Sequence, residues 1–526
     1  MLFDRVKSLD AIMATAEKKG LHRSLGPFQL TLLGIGAVIG TGIFVLTAEA
    51  AQKAGPGMLA SFVIAGFVCG VAALCYSELA SMVPVAGSAY TYTYAVVGEM
   101  MAWMVGWALI LEYAVGASAV AVGWSNHAVG LAQGLGYNFP AAISNADALM
   151  AKVELMFGAA PTPDIMKALQ VGGWVNVPAI LVAAAVTWLL IIGTTESARV
   201  NAVLVLIKIS ALTMFIFLTI PVLNASNFTP FAPTGATGMF GAAASIFFAY
   251  VGFDAVSTAA EETKNPQRNV PIGLIGSLAI CTIFYLLVAS GEIGAIGAQP
   301  VMDASVALAP GSAEFTGRCA ILGAGATQPL VCSKEALVHV LDTIGWPALG
   351  RVVGLAAVLA LPSVVLMMMF GQTRVFFTMA RDGLLPGKLA SVHPKYKTPH
   401  VVTLVTGIGT TVAAAFLPVG KLADYSNSGT LFAFFMVAIA VMVLRKTDPN
   451  RRRPFRAPAI FVVAPLAIIG CLVLYLSLPL TAILLLPIWG AIGLLVYFFY
   501  SRSRSHVGRG VETDTPDDPP GYGVTK

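Results

Sequence analysis

Charge is what this sequence has least of. Only 11% of its 526 residues are Asp, Glu, Lys or Arg, where soluble domains carry about 25%. That scarcity excludes an ordinary soluble domain, and an apolar content of 57% makes the chain a polytopic membrane protein. The six cysteines and six histidines show no metal-ligand spacing, and no His/Asp/Ser constellation gathers on one membrane face. An enzyme is therefore not expected, nor a metal or cofactor. Residues 1–25 are polar and lack the short apolar core of a cleavable signal. The net charge of +5 is too small to imply a nucleic-acid partner. The lipid bilayer is the one partner composition dictates.

Long apolar runs are abundant. A crossing needs about 20 residues, and twelve such runs can be read, at 27–53, 58–83, 94–131, 174–193, 200–223, 239–259, 271–293, 346–379, 401–418, 425–444, 458–477 and 480–500. The first, third and eighth are long enough to imply tilt, a break or an extension. Lysine and arginine set the orientation. With the N-terminus in the cytoplasm, twenty-three basic residues fall inside, seven fall outside, and Lys208 lies within a span. This predicts a multi-pass protein of the cell inner membrane with both termini cytoplasmic. The tail from Ser501, with TDTPDDPPGYG, reads as disordered. Cys319 and Cys332 share a long outer loop, where an oxidising exterior permits a disulfide. Glu78, near the inner end of the second run, reads as an interfacial carboxylate within reach of water.

The most unusual stretch is Gly34–Phe44, GIGAVIGTGIF, with four glycines in nine residues of the first run. In lipid every backbone N–H and C=O must be paired internally. Clustered glycine weakens the helix there and lets another group approach the backbone. One reading is a break, with a half-helix beginning near Thr41 that points its positive end at an anionic ligand group. The other is a small-residue packing seam. A dinucleotide loop is excluded by the GxGxxxG spacing and by the lack of a strand–turn–helix unit.

The sixth run reads GAAASIFFAYVGFDAVSTAAEETKNPQRNVP from Gly241. Gly252 and Asp254 interrupt it at mid-depth among Phe247, Phe248, Tyr250 and Phe253. Interrupted helices at corresponding positions of two halves are a mark of inverted-repeat carriers. Glu112, in the third run, is a functional candidate because a carboxylate at that depth is costly when unpaired. Its bland reading is a neutral acid bonded to a neighbouring helix. Lys208, in the fifth, either snorkels to the interface or is buried as a proton carrier. The seventh run carries Tyr285. The eighth carries Ser363, whose hydroxyl is placed to approach the fifth run, and then Met367, Met368 and Met369.

Four strings together, LGIGAVIGTGIFVLT, CYSELASMVPVAGSAYTYTYAVVGE, FFAYVGFDAVSTAAEETKNPQRNVP and GQTRVFFTMARDGLLP, resemble the amino acid–polyamine–organocation transporters, in their cationic-amino-acid-transporter-like branch of bacterial permeases. The resemblance runs from about residue 24 to 500. It implies an all-α LeuT-like fold: a transporter domain over 26–500, with one five-helix repeat at about 27–223, an inverted copy at about 239–444 and two extra helices at about 458–500. It implies an amino acid held between helices one and six. The carboxylate then meets backbone around Ile39, Gly40, Thr41 and Gly42. The amino group meets carbonyls around Val38, Phe247, Phe248 and Val251, beside Gly252, with Phe248 as the occluding aromatic. Lys208 matches the position where a fixed charge replaces sodium, which implies proton-coupled symport with the proton as coupling ion. Glu112, Tyr285 and Ser363 extend that proton path. Met368 departs from the smaller residues of animal cationic carriers, which favours small neutral amino acids. An amino acid or polyamine exchanger, or a non-transporting amino acid sensor, is the alternative. No obligatory protein partner is implied.

Overall fold

The computed structural model describes residues 5–7, 25–83, 88–193, 198–258, 260, 263–303, 306–323, 328–396 and 398–510. The turn expected at Pro84–Gly87, most of the N-terminal segment and the tail beyond residue 510 lie outside the described residues. The rest is almost wholly helical. Leucine, alanine, valine and isoleucine dominate the long helices on all sides, as burial in a bundle or in lipid requires.

The first run is three pieces: α1 (Pro27–Val38), α2 (Thr41–Phe44) and α3 (Leu46–Ala54). A Gly-Pro-Gly turn with Gly55 at φ +61° leads to α4 (Met58–Met82). After the short α5 (Ser88–Val96), α6 (Glu99–Ile110) passes through a π-helical turn, Leu111–Val115, into α7 (Gly116–Gly134). Short helices α8 (Asp147–Met156) and α9 (Pro163–Val171) fill the loop before α10 (Val177–Ile192) and α11 (Ala198–Thr219). The sixth run is α12 (Gly235–Ile246), a 3₁₀ turn Phe247–Tyr250, and α13 (Ala255–Thr258). Then come α14 (Pro266–Ile296), α15 (Ala313–Leu322), α16 (Ala336–Thr343), α17 (Pro347–Arg381), α18 (His400–Phe416), α19 (Val419–Thr447), α20 (Ile460–Leu476) and α21 (Leu480–Val496). Among the described residues seven helical stretches are long and apolar enough to cross a membrane, and five apolar helices are shorter. The third run divides at Gly98, φ +111°, rather than continuing from 94. The eighth stays helical through Pro362.

One face of the bundle carries both long loops, folded into a cap. There α9 crosses α15 so closely that a Cβ on Gly317 would lie 1.6 Å from the Asp164 carbonyl oxygen. Ala151, Ile165, Ala168 and Ala313 make a small separate core. Arg318 pairs with Asp164 at 2.8 Å, and Cys319 is disulfide-bonded to Cys332. In the same cap the Glu335 carboxyl lies against the main chain of Gly130 on α7. Burial, and then the neighbouring Asp342 carboxylate, push its pKa from 4.5 up to about 8.

The opposite face is closed by buried ion pairs. Glu78, on α4, is 1% exposed rather than open to water. Arg445 of α19 grips it at two points, Nε–Oε1 and Nη2–Oε2, both 2.6 Å. Arg453 Nε lies 3.3 Å away, and the Ala457 N–H donates at 2.8 Å. The pairing arises because α4 and α19 end side by side, which places an arginine over the carboxylate. Residues 5–7 and 501–510 dock on this face. Arg5, Tyr94, Tyr497 and Ser505 all donate to buried Glu99. Lys7 and Tyr90 donate to Asp382, each at 2.8 Å. Residues 501–510 are therefore packed, contrary to the reading of a disordered tail from Ser501. Its hydroxyls at Ser501 and Ser505 find buried acceptors that composition does not reveal.

Two outcomes follow. Replacing Glu78 by Gln leaves two arginines without their counter-ion; breaking a buried pair costs about 3–5 kcal/mol. A clear drop in melting temperature in detergent is expected, and an unchanged one would mean the pair is solvated. The second concerns Glu335. The native protein holds this proton to about pH 8, whereas the unfolded chain releases it near 4.5. Its stabilisation is whole below pH 4.5 and fades as pH rises through 8. Melting temperature should fall more steeply from pH 5 to 8 in the wild type than in Glu335→Gln. Equal slopes would rule this out.

Candidate functional site

The two interrupted helices face each other. At the first break α1 stops at Val38, Ile39 is extended (φ −72°, ψ 96°), and the Gly40 carbonyl accepts from Ile43 and Phe44 at 3.3 and 3.4 Å to start α2. At the second, Val251 is extended (φ −61°, ψ 139°) and Gly252 takes φ +109°. The left-handed value needs glycine. Gly252 also lies so near α1 that a Cβ would sit 3.0 Å from the Ala37 carbonyl oxygen. A Cβ on Gly42 would fall 2.3 Å from Ala249 Cα. Thus Val38, Ile39, Gly40, Thr41 and Gly42 are brought against Phe247, Phe248, Val251 and Gly252.

The broken turns free carbonyls, and buried polar side chains meet them. The Tyr285 hydroxyl lies 2.9 Å from the Val38 oxygen and 2.7 Å from the Ala249 oxygen, so one group spans both breaks. Lys208 is fully buried, and its ammonium donates to the Gly36 oxygen at 2.8 Å. That oxygen belongs to the last turn of α1, where the helix dipole is negative and favours a cation. Ser363 does not turn toward the fifth run; its hydroxyl donates to Ala360 of its own helix at 2.8 Å. α17 nonetheless lines the first break, with Val364 methyls 3.4 Å from where a Gly40 Cβ would be. Met368, one turn further on, and Phe248 converge on Gly116.

A second cluster lies on the other side of the sixth-run break. Glu112 sits in the π-helical turn, a form frequent at functional sites. It is buried beside Asp254 and Thr430, and neither carboxyl oxygen has a hydrogen-bond partner among the described residues. Tyr113 donates to Asp254 at 2.7 Å, tying the π turn to the break. A third cluster stands toward the cap. Lys53 of α3 pairs with Asp424 of α19 at 3.3 Å, with Ser245 of α12 bonded to both. Asn427 donates to the Ala244 and Ser245 oxygens at 2.8 and 2.9 Å. Glu292 of α14 accepts from Thr47 of α3 at 2.9 Å. Sequence reasoning singled out Asp254 only as an interruption and passed over Tyr113, Glu292 and Asp424. The rule that ionisable groups inside apolar runs are functional by default would have found the acids. Tyr113 carries no such signal.

Two cavities of about 430 Å³ each lie away from the breaks. One is apolar, between α6, α19, α20 and α21, and floored by Trp107 stacked on Trp489 at 4.8 Å. The other is polar, in the cap beside Glu335 and His339.

The chain matches the amino acid permease family model over residues 25–499. It is 43% identical to the branched-chain amino acid permease BcaP of Bacillus subtilis, covering 96% of this chain and 99% of that protein. It is 39% identical to the methylthioribose transporter of the same organism, over 95% and 98%. Against the vacuolar cationic amino acid transporter 2 of Arabidopsis thaliana it is 33% identical, over 85% of this chain and 64% of that one. A family match across nearly the whole helical bundle, together with relatives of this identity and coverage, means that the chain belongs to the amino acid permease family.

Proposed function

We propose that this protein is a secondary transporter that carries a neutral aliphatic amino acid into the cell with a proton, by alternating access. The observation that carries the proposal is the meeting of two interrupted helices, each with main-chain groups freed from helical pairing; a small zwitterion would be held by those groups. In this reading the N–H groups of Thr41 and Gly42, which precede the first bonds of α2, take the carboxylate. Carbonyls of the 3₁₀ turn and of Val38 take the ammonium. Phe248, Met368 and Val364 offer apolar surface to the side chain. The name of the Bacillus branched-chain permease supports a neutral aliphatic substrate, as does Met368. The fold is then two inverted five-helix repeats plus two helices, twelve crossings in all. Both termini are cytoplasmic, the cap is outside, and no cofactor is used.

Lys208 gives the coupling a physical form. A hydrogen bond from a charged donor is worth about 1.5–3 kcal/mol. Losing the proton loosens α1 from α11 by that amount, enough to shift a two-state equilibrium by about one to two orders of magnitude. Proteoliposomes with an acidic exterior should accumulate labelled alanine, valine or leucine. Lys208→Ala should lose gradient-driven accumulation while retaining substrate binding. Full accumulation by that variant would remove Lys208 from the mechanism. Counterflow that persists in wild-type vesicles without any gradient-driven uptake would instead select the exchanger.

A further inference from the structure

Gly116 opens α7 just after the π turn. A Cβ there would lie 3.0 Å from Ser426 Oγ, 3.2 Å from Met368 Sδ and 3.4 Å from Phe248 Cε2. Side chains from α19, α17 and the second break thus press on the main chain of α7 at one point. They do not have equal freedom to move. The Ser426 hydroxyl is anchored by donating to the main-chain carbonyl oxygen of Glu112 at 2.9 Å. Met368 is an unbranched thioether, able to swing. It shares a helix face with Val364, which meets the first break. Phe248 belongs to the second break itself. A methyl group on residue 116 therefore needs Met368 to give by a few tenths of an ångström and fills the space against which Phe248 rests; Met368 lies on the helix that lines the first break, and Phe248 on the second.

We propose that Gly116 sets the upper size of the substrate side chain, by letting Phe248 and Met368 retreat against bare backbone. It is a positioning residue, acting through its two neighbours. The inference rests on the reading of an amino acid held at the breaks, and it adds the determinant that admits a branched side chain as well as a methyl group.

The test is the ratio of kcat/KM for leucine to that for alanine in proteoliposomes, because a ratio does not depend on how much protein folds. Gly116→Ala should lower the leucine-to-alanine ratio about 10-fold or more, since one methylene's worth of pocket space discriminates by roughly 10–200-fold. Adding Met368→Ala to Gly116→Ala should restore the ratio, which a general weakening of α7 packing would not allow. Met368→Phe, which fills the same space from α17, should lower it by itself. An unchanged ratio in Gly116→Ala or in Met368→Phe, or a double variant that stays small-selective, overturns the proposal. The ligand-induced shift in melting temperature reads the same ratio in a protein that binds without transporting, so failure of transport leaves the size limit measurable. Wild-type protein that neither binds nor moves alanine or leucine overturns the function and this inference together.

Discussion

A backbone carbonyl stripped of its helical partner inside a membrane must find another donor, and the architecture answers to that constraint. An unpaired buried group costs about 1–3 kcal/mol, and water is not there to help. Two helices here give up their regular turns at the same depth. The Tyr285 hydroxyl supplies a donor between the Val38 and Ala249 oxygens, and the Lys208 ammonium supplies one at Gly36. Each donor comes from a different unbroken helix, α14 or α11. The intact helices are therefore the scaffold that holds the broken ones in place. Tyr285 entered as a partner in a proton path. Its contacts are with the main chain of both breaks, which it ties together.

The charged groups obey the same economy at the ends of the bundle. Glu78 meets Arg445, Arg453 and an amide; Glu99 meets an arginine, two tyrosines and a serine; Asp424 meets Lys53 and Ser245. Each cluster joins helices or segments that are distant in sequence. Alternating access, as proposed, requires that one end part while the other stays shut. Clusters made of a few short charged contacts suit that demand better than a continuous apolar seam, because they have discrete made and broken states. The cap adds a covalent tie and its own small core.

What the sequence made legible was whatever is local. Run length showed where the apolar helices lie, and the glycine spacing located a weak point within two residues of Ile39. A buried lysine in an apolar run is conspicuous whatever surrounds it. What stayed hidden was pairing across the bundle. Tyr113 finds Asp254 at 141 positions' remove, and Arg445 finds Glu78 at 367. No periodicity encodes either. Glu78 illustrates the consequence: near the end of a span, water is the natural partner to assume, and only the side-by-side arrival of α4 and α19 replaces it with arginine. The π turn was hidden for a related reason. Leu111–Val115 has ordinary helix formers, and its extra residue is absorbed by packing against α19.

The four glycines of the first run resolve what looked like a choice between a packing seam and a break. A Cβ on Gly34 would strike Ser277 of α14, and one on Gly36 would strike Asn201 and Val205 of α11. Those two glycines seat α1 against the helices that carry Tyr285 and Lys208. Gly42 lets α2 touch the 3₁₀ turn of the sixth run. Close seating at Gly34 and Gly36 is what brings both polar side chains within reach of the freed carbonyls. Without that seating the interruption would expose unpaired backbone to an apolar interior. The seam is thus the condition under which this break is paired within the protein.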